Sequence, residues 1–163
     1  MICFHNPEEE NGYLSNWYLS EFTVDGIKFS SMEQYMMYEK ALLFQDQEAV
    51  EKILQTDNVA EIKALGRAVQ HFDDKVWIKV REEIVYRGVR EKFRQNPELA
   101  EKLKKTGEEI IAECAVKDRI WGIGLSMKDE NRHCIDRWRG QNLLGKILMR
   151  VREEIKHQKK EQG

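Results

Sequence analysis

The chain has 163 residues, 27 Lys and Arg against 29 Asp and Glu, and a formal net charge of −2. That length gives one domain with room for a proper core, and the balanced charge excludes a general nucleic-acid or anionic-membrane binder, although not recognition of one modified nucleotide. The N-terminus lacks a basic region followed by an apolar core and no run of roughly 18 apolar residues occurs, so the expectation is a soluble, cytoplasmic protein that no secretion signal exports.

Ile2-Cys3-Phe4 begins a short strand. Phe22 to Phe29 alternates in hydrophobicity about Asp25-Gly26, whose residue types suit the positive-φ positions of a hairpin turn. A helix from Ser31 to Phe44 follows directly, then shorter helices over 46–55 and 58–69. Residues 74–95 form a long amphipathic helix, with Trp77, Val80, Ile84, Val85, Val89 and Phe93 at helical spacing. Asn96-Pro97 restarts the chain as a cap and first helical residue, and Gly107 follows that helix. Residues 108–115 read as a strand and 122–140 as a polar, Gly-containing loop of active-site type. The last helix runs over 141–157 on Leu144, Ile147, Leu148 and Val151. These elements predict an α+β fold: a mostly helical single domain with a few short strands over 1–155, and a charged, frayed tail over 156–163.

The helix after the hairpin is the most informative segment. At 100° per residue, Glu33, Met37, Lys40 and Phe44 share one stripe, with Glu33 and Lys40 about 20° apart. Met32, Met36 and Leu43 flank the stripe, Tyr35, Tyr38 and Leu42 continue the apolar surface, and only the arc at Gln34 and Gln45 suits bulk water. A helix apolar nearly all round is buried, and buried charges need partners or a job. Seven residues at 1.5 Å rise put the two α-carbons roughly 10 Å apart, so Glu33 and Lys40 can bracket a small polar ligand. The structural alternative is a capping box, in which Glu33 bonds back to the Ser30 amide while Lys40 reaches out to solvent.

Other constellations are weaker singly. Asp118-Arg119-Ile120-Trp121-Gly122-Ile123-Gly124 offers two glycines for close backbone approach, a Trp that can stack on a flat base and an Asp that can accept from ribose hydroxyls; a tight turn with a core Trp is the alternative. Trp77 and Arg81 lie one helical turn apart. Gly66 within Leu65-Gly66-Arg67 costs about 1 kcal/mol against Ala, implying a close crossing or a role for Arg67 toward an anion. Arg137, Arg139, Gln141 and Asn142 precede a helix N-terminus in a phosphate-facing manner. Cys3, Cys114 and Cys134 are widely spaced, and His5, His71, His133 and His157 show no metal-ligand spacing, so reduced thiols and no metal are expected.

Taken together, the chain resembles the NADAR (YbiA-like) family of N-glycosidases. The matching pieces are Leu14-Ser15-Asn16, Phe29-x-Ser31-x-Glu33, Lys40-Ala41, Leu65-Gly66-Arg67, Trp77-x-x-x-Arg81, Lys92-Phe93, Asp118-x-x-Trp121-Gly122-x-Gly124, Asn142-Leu143-Leu144-Gly145 and Leu148-Met149-x-Val151-Arg152. Trp17 stands where Phe is common, and the loop over 125–140 is particular to this chain. The resemblance implies hydrolysis of an N-ribosyl bond, in early riboflavin-pathway intermediates or in ADP-ribose attached to guanine bases. It makes Glu33 and Lys40 the catalytic residues and Asn16, Trp77, Arg81, Asp118, Trp121, Gly122, Gly124 and Asn142 the substrate-binding set. It implies no cofactor or metal. The expected partners are a small nucleotide-like substrate or ADP-ribosylated nucleic acid, with no membrane and no obligate protein partner.

The residue types suit that chemistry. Breaking the C1–N bond builds positive charge at C1, which a carboxylate stabilises while activating water. A desolvated Lys40 could instead attack as a neutral amine and form an imine; charged, it would only hold a hydroxyl or phosphate. A non-catalytic ADP-ribose or nucleotide reader is the alternative, and a toxin-system or scaffold partner using the charged long helix is a third.

Overall fold

The structure is a computed structural model that describes the backbone of residues 1–162 and the side chains of residues 1–158. In chain order it comprises β1 (Ile2–Phe4), β2 (Leu19–Val24), β3 (Ile27–Ser31), α1 (Met32–Leu43), α2 (Gln47–Leu54), α3 (Val59–Arg67), α4 (Asp74–Gln95), α5 (Pro97–Lys105), β4 (Ile111–Glu113) and α6 (Leu143–Gln162). The α+β composition, mostly helix with short strands, is the expected one. Two compact units are described separately, Leu19–Asn96 and a second formed by Met1–Tyr18 with Pro97 onward.

In the Leu19–Asn96 unit, β2 and β3 pair antiparallel with Phe22 opposite Phe29 and Val24 opposite Ile27. Asp25 (φ 51°) and Gly26 (φ 80°) take the two left-handed positions that the turn requires. Ser31 ends β3 and caps α1, its hydroxyl accepting from the Gln34 amide at 3.1 Å. Tyr35 is the centre of the core. Its ring meets Phe29 at 5.3 Å and Phe22 at 5.9 Å, edge to face, and its hydroxyl donates to the Ile84 carbonyl at 2.8 Å. The helix α4 can lie this close because residue 88 is glycine: a Cβ there would fall 2.5 Å from the Tyr35 ring.

The exposed arc of α1 is not where hydrophobic periodicity puts it. Gln34 is buried, donating from Nε2 to the carbonyls of Ile53 and Thr56, both at 3.0 Å. Leu42 and Leu43 face outward instead. The reason is that the amide of Gln34 satisfies the Ile53 carbonyl in the last turn of α2 and the Thr56 carbonyl just past it.

In the other unit, β1 and β4 run parallel with Cys3 opposite Ala112. β4 keeps only three residues of the strand expected over 108–115. The far edge of β4 is closed by a side chain: Asn142 Oδ1 accepts from the Glu113 amide at 3.1 Å and Nδ2 donates to the Ile111 carbonyl at 2.9 Å. The segment over 122–140 is not wholly irregular, since short 3₁₀ turns form at Glu130–His133 and Ile135–Arg137. The last helix continues to Gln162, past residue 156 where a frayed tail is expected from the charge pattern. Arg152 donates to Thr106 Oγ1 (2.9 Å) and the Glu109 carbonyl (2.8 Å), and Lys156 donates to the Gly107 carbonyl, so the helix is tethered beyond its apolar stripe. Side chains from 159 onward lie outside the described residues.

Candidate active site

The ten residues singled out from sequence fall into two sets, one in each unit. Glu33, Lys40, Trp77 and Arg81 belong to Leu19–Asn96; Asn16, Asp118, Trp121, Gly122, Gly124 and Asn142 belong to the other.

The first set is built on α1 and α4. The capping alternative for Glu33 does not hold, because the box is displaced by one residue. Ser31 rather than Ser30 is the cap, and it is Gln34 Oε1 that accepts from the Ser30 amide, at 2.7 Å. Glu33 is therefore outside the cap, in the first turn and only 5% exposed. Lys40 is half-buried two turns along, its Nζ 4.5 Å from the centre of the Phe72 ring. Burial pulls its ammonium below the usual lysine range; Glu33 opposes that shift, Arg67 reinforces it and Asp74 opposes it. Met37 lies between Glu33 and Lys40 on the same stripe, seated against Gly66 of α3, where an added Cβ would come within 1.9 Å of its sulfur. Gly66 thus makes room for a side chain from α1, and Arg67 beside it is one of the charges felt by Lys40. Trp77 and Arg81 are both buried on α4.

Phe72 and Asp74 were not singled out from sequence. Phe72 is 42% exposed, packs edge-on to Phe44 at 5.3 Å and covers the Lys40 ammonium. An aromatic residue in a short connection before a helix carries no periodic signal, so nothing in the chain pattern marks it. A groove of about 440 Å³ on the same unit is lined by Leu42, Leu43, Val80, Ile84 and the Glu39–Arg87 pair, and contains none of the singled-out residues.

The second set separates by whether its polar groups already have partners. Asn16 is 7% exposed and its Oδ1 is buried without a hydrogen-bond partner, an acceptor that a ligand donor would satisfy. Asp118 Oδ1 accepts from the amides of Ile120 (3.0 Å) and Trp121 (2.8 Å), fixing the turn that presents the partly exposed Trp121. The glycines are demanded by neighbouring backbone. A Cβ on Gly122 would lie 2.9 Å from the Glu113 carbonyl oxygen, and Gly124, at φ 74°, has Arg139 Cβ within 3.0 Å of such an atom. Bonds from Arg139 N to Ile123 O (2.8 Å) and Asn142 N to Gly122 O (3.0 Å) hold the two loop segments together. Both ends of the Asn142 amide are committed to β4, as described above, so its side chain acts on the loop framework.

Among the described residues, no three His, Cys, Asp or Glu side chains converge as a metal cluster, and no helix is long and apolar enough to cross a membrane.

Comparison with known proteins gives the family of the chain. The chain is 43% identical over 161 residues to N-glycosidase R617 of Acanthamoeba polyphaga mimivirus, spanning 94% of this chain and 95% of that protein. It is 37% identical over 154 residues to the riboflavin biosynthesis protein VVA0006 of Vibrio vulnificus, covering 94% of this chain but 38% of that longer protein. The solution structure of Escherichia coli YbiA superposes with a TM-score of 0.80 at 27% identity, over 97% of this chain and 86% of YbiA. The NADAR domain pattern matches residues 3–156. The chain belongs to the NADAR domain family.

Proposed function

We propose that this N-glycosidase cleaves the C1–N bond between a ribosyl group and a flat heterocycle in a nucleotide-like substrate, and that early riboflavin-pathway intermediates are the substrate class. One observation carries the chemical part: Glu33 is buried, sits outside the helix cap that would explain it structurally, and shares a stripe with a Lys40 whose charge is disfavoured. The substrate class is supported by the name of the Vibrio relative, which covers nearly all of this chain.

In the proposed sequence, Lys40 Nζ adds to C1 as the C1–N electron pair leaves with the heterocycle, which takes up a proton. Glu33 accepts the proton from Nζ and passes it to the ring oxygen as the C1–O4 bond breaks, which opens the ribose and yields a protonated imine. Water then adds to C1, Glu33 taking its proton, and Nζ departs as the free amine. The net change is hydrolysis to the free sugar and the amino-heterocycle. The scheme requires a neutral amine at working pH, which the lowered proton affinity of Lys40 favours.

The test is turnover of aminouracil ribosylamine phosphate and of ADP-ribosyl-guanosine by the folded wild-type protein. Release of base from the first supports both the reaction and the substrate class. Release only from the second keeps the reaction and overturns the substrate class. Binding without turnover of either makes the domain a nucleotide reader. Borohydride added during turnover should leave a sugar adduct on the Lys40 peptide. Lys40→Arg, which cannot form an imine, should lose activity by orders of magnitude. If Lys40→Arg stays active and nothing is trapped, water attack directed by Glu33 replaces the imine route.

A further inference from the structure

Burial does not explain Phe72. It is 42% exposed on the short connection from α3 to α4, where so large an apolar ring gains little by transfer from water. The chain nevertheless fixes it there from both sides. The Gln70 amide donates to Asp46 Oδ2 at 2.9 Å, and Asp46 is itself the cap of α2, its Oδ1 accepting from the Ala49 amide at 3.1 Å. On the other side Asp73 caps α4, its Oδ1 accepting from the Lys75 amide at 3.0 Å. Between these anchors His71 takes the left-handed region at φ 63°, a conformation that costs energy in a residue with a Cβ and that its surroundings must impose. The Phe72 ring then stands edge-on to Phe44, the cap that ends α1, at 5.3 Å and 70°. Lys40 Nζ lies over this ring, 4.5 Å from its centre. An ammonium within about 6 Å of an aromatic centre is attracted by the negative face of the ring.

We propose that Phe72 is a positioning residue: its ring face holds the Lys40 amine in place and keeps it charged in the free protein, and so sets the pH at which that amine becomes a nucleophile. This rests on the imine reading of Lys40 given above. Opposing effects meet at Nζ. Burial favours the neutral amine and pulls the group below the ordinary lysine range, whereas the ring favours the cation. The charges felt by Lys40 are Glu33 on its own helix, Arg67 at the end of α3 and Asp74 in the first turn of α4; Arg67 acts with burial and the two carboxylates act against it. His71 titrates next to Phe72 in the chain, but the charge it acts on is Asp46.

The ring can act on Lys40 in two ways, and they have opposite signs. As bulk it keeps water from Nζ, which disfavours the ammonium; as a π face it attracts the ammonium. Leucine keeps apolar bulk at the position and removes the face. If the face governs, Phe72→Leu withdraws stabilisation from the cation, and the neutral amine is available at lower pH. If water exclusion governs, the same change leaves the titration of Lys40 where it is, or moves it to higher pH as water enters. Tryptophan, whose face binds cations best, provides the rescue.

The first readout needs no turnover. Competitive acetylation of the intact protein by acetic anhydride as a function of pH, with the Lys40 peptide quantified by mass spectrometry, gives the titration midpoint of Lys40. Phe72→Leu should lower that midpoint by about half a unit to one unit, so that Lys40 is acetylated about three to ten times faster at pH 7. Phe72→Trp should hold the midpoint at or above that of wild type. With aminouracil ribosylamine phosphate as substrate, the acid limb of kcat should move to lower pH in Phe72→Leu by the same amount as the midpoint. A midpoint in Phe72→Leu equal to or above that of wild type, with unaltered circular dichroism, would overturn the proposal, as would an acid limb that stays in place while the midpoint falls. Should no variant release base, the proposed reaction falls, and the acetylation midpoints still decide whether the ring holds the Lys40 charge.

Discussion

Replacing Gly66 by alanine sets two effects against each other. On helix propensity alone the change stabilises by about 1 kcal/mol. The new Cβ, however, would lie 1.9 Å from Met37 Sδ and 2.7 Å from its Cγ, with Met37 Cβ already at 3.3 Å. Ordinary contact begins near ~3.5 Å, so the sulfur must retreat by roughly 1.5 Å. Met37 is buried on the stripe between Glu33 and Lys40, and its Cβ is fixed by the helix, so it retreats only by leaving its rotamer. Overpacking of this kind costs about 1–3 kcal/mol. The net expectation is a destabilisation of about 1 kcal/mol, or a fall in Tm of about 2–4 °C for a chain of this length.

The decisive measurement is a double-mutant cycle by urea unfolding on wild type, Gly66→Ala, Met37→Ala and the double variant. Met37→Ala alone should cost about 2–4 kcal/mol through the cavity it leaves. In that background the clash has gone, so Gly66→Ala should change sign and stabilise by about 1 kcal/mol. A Gly66→Ala effect of the same sign and size in both backgrounds would refute the assignment of Gly66 to the seat of Met37, and with it the reason given for a glycine in this helix.

Other consequences follow from buried groups. Lys92 is 1% exposed and desolvation pushes it down to about 7; the unfolded chain keeps that proton to about pH 10. Between those values the unfolded state binds more protons, so this group makes stability rise with pH by up to about 1.4 kcal/mol per unit, and Lys92→Met should remove that slope while leaving the curves parallel below pH 6. Urea midpoints at pH 6, 7.5 and 9 read this directly, and parallel curves throughout would contradict it. Tyr35→Phe removes the buried bond to the Ile84 carbonyl and should cost about 1–2 kcal/mol in thermal unfolding. Asn142→Gly retains the left-handed backbone (φ 54°) yet orphans the Glu113 amide and the Ile111 carbonyl, so a loss of about 2–4 kcal/mol is expected where a purely ligand-facing side chain would leave stability unchanged.

What the chain pattern made legible were features that a few neighbouring residues determine. Asp25-Gly26 between alternating apolar residues suffices for the hairpin, and the spacing from Trp77 to Phe93 suffices for α4. The cap of α1 was missed by one residue because its place depends on where β3 ends, and cross-strand pairing carries β3 through Ser31. That single step decides whether Glu33 or Gln34 is spent on the backbone. Gly66 looked like a conformational anomaly until the opposing side chain was known. Phe72 carried no signal, since its role depends on the distance to Lys40 across the fold.

The buried amides supply a criterion that residue type alone does not. Gln34 bonds the Ser30 amide, the Ile53 carbonyl in the last turn of α2 and the Thr56 carbonyl just past it; Asn142 does the same service for β4. Each replaces a peptide group at an edge where a strand or helix stops. Asn16 is as buried as these, yet its oxygen meets no donor. An unmade bond of this kind costs about 1–3 kcal/mol. Satisfaction of hydrogen bonds therefore separates Asn142, whose amide is spent on β4, from Asn16, whose Oδ1 meets no donor, although both are asparagines of the same family pattern.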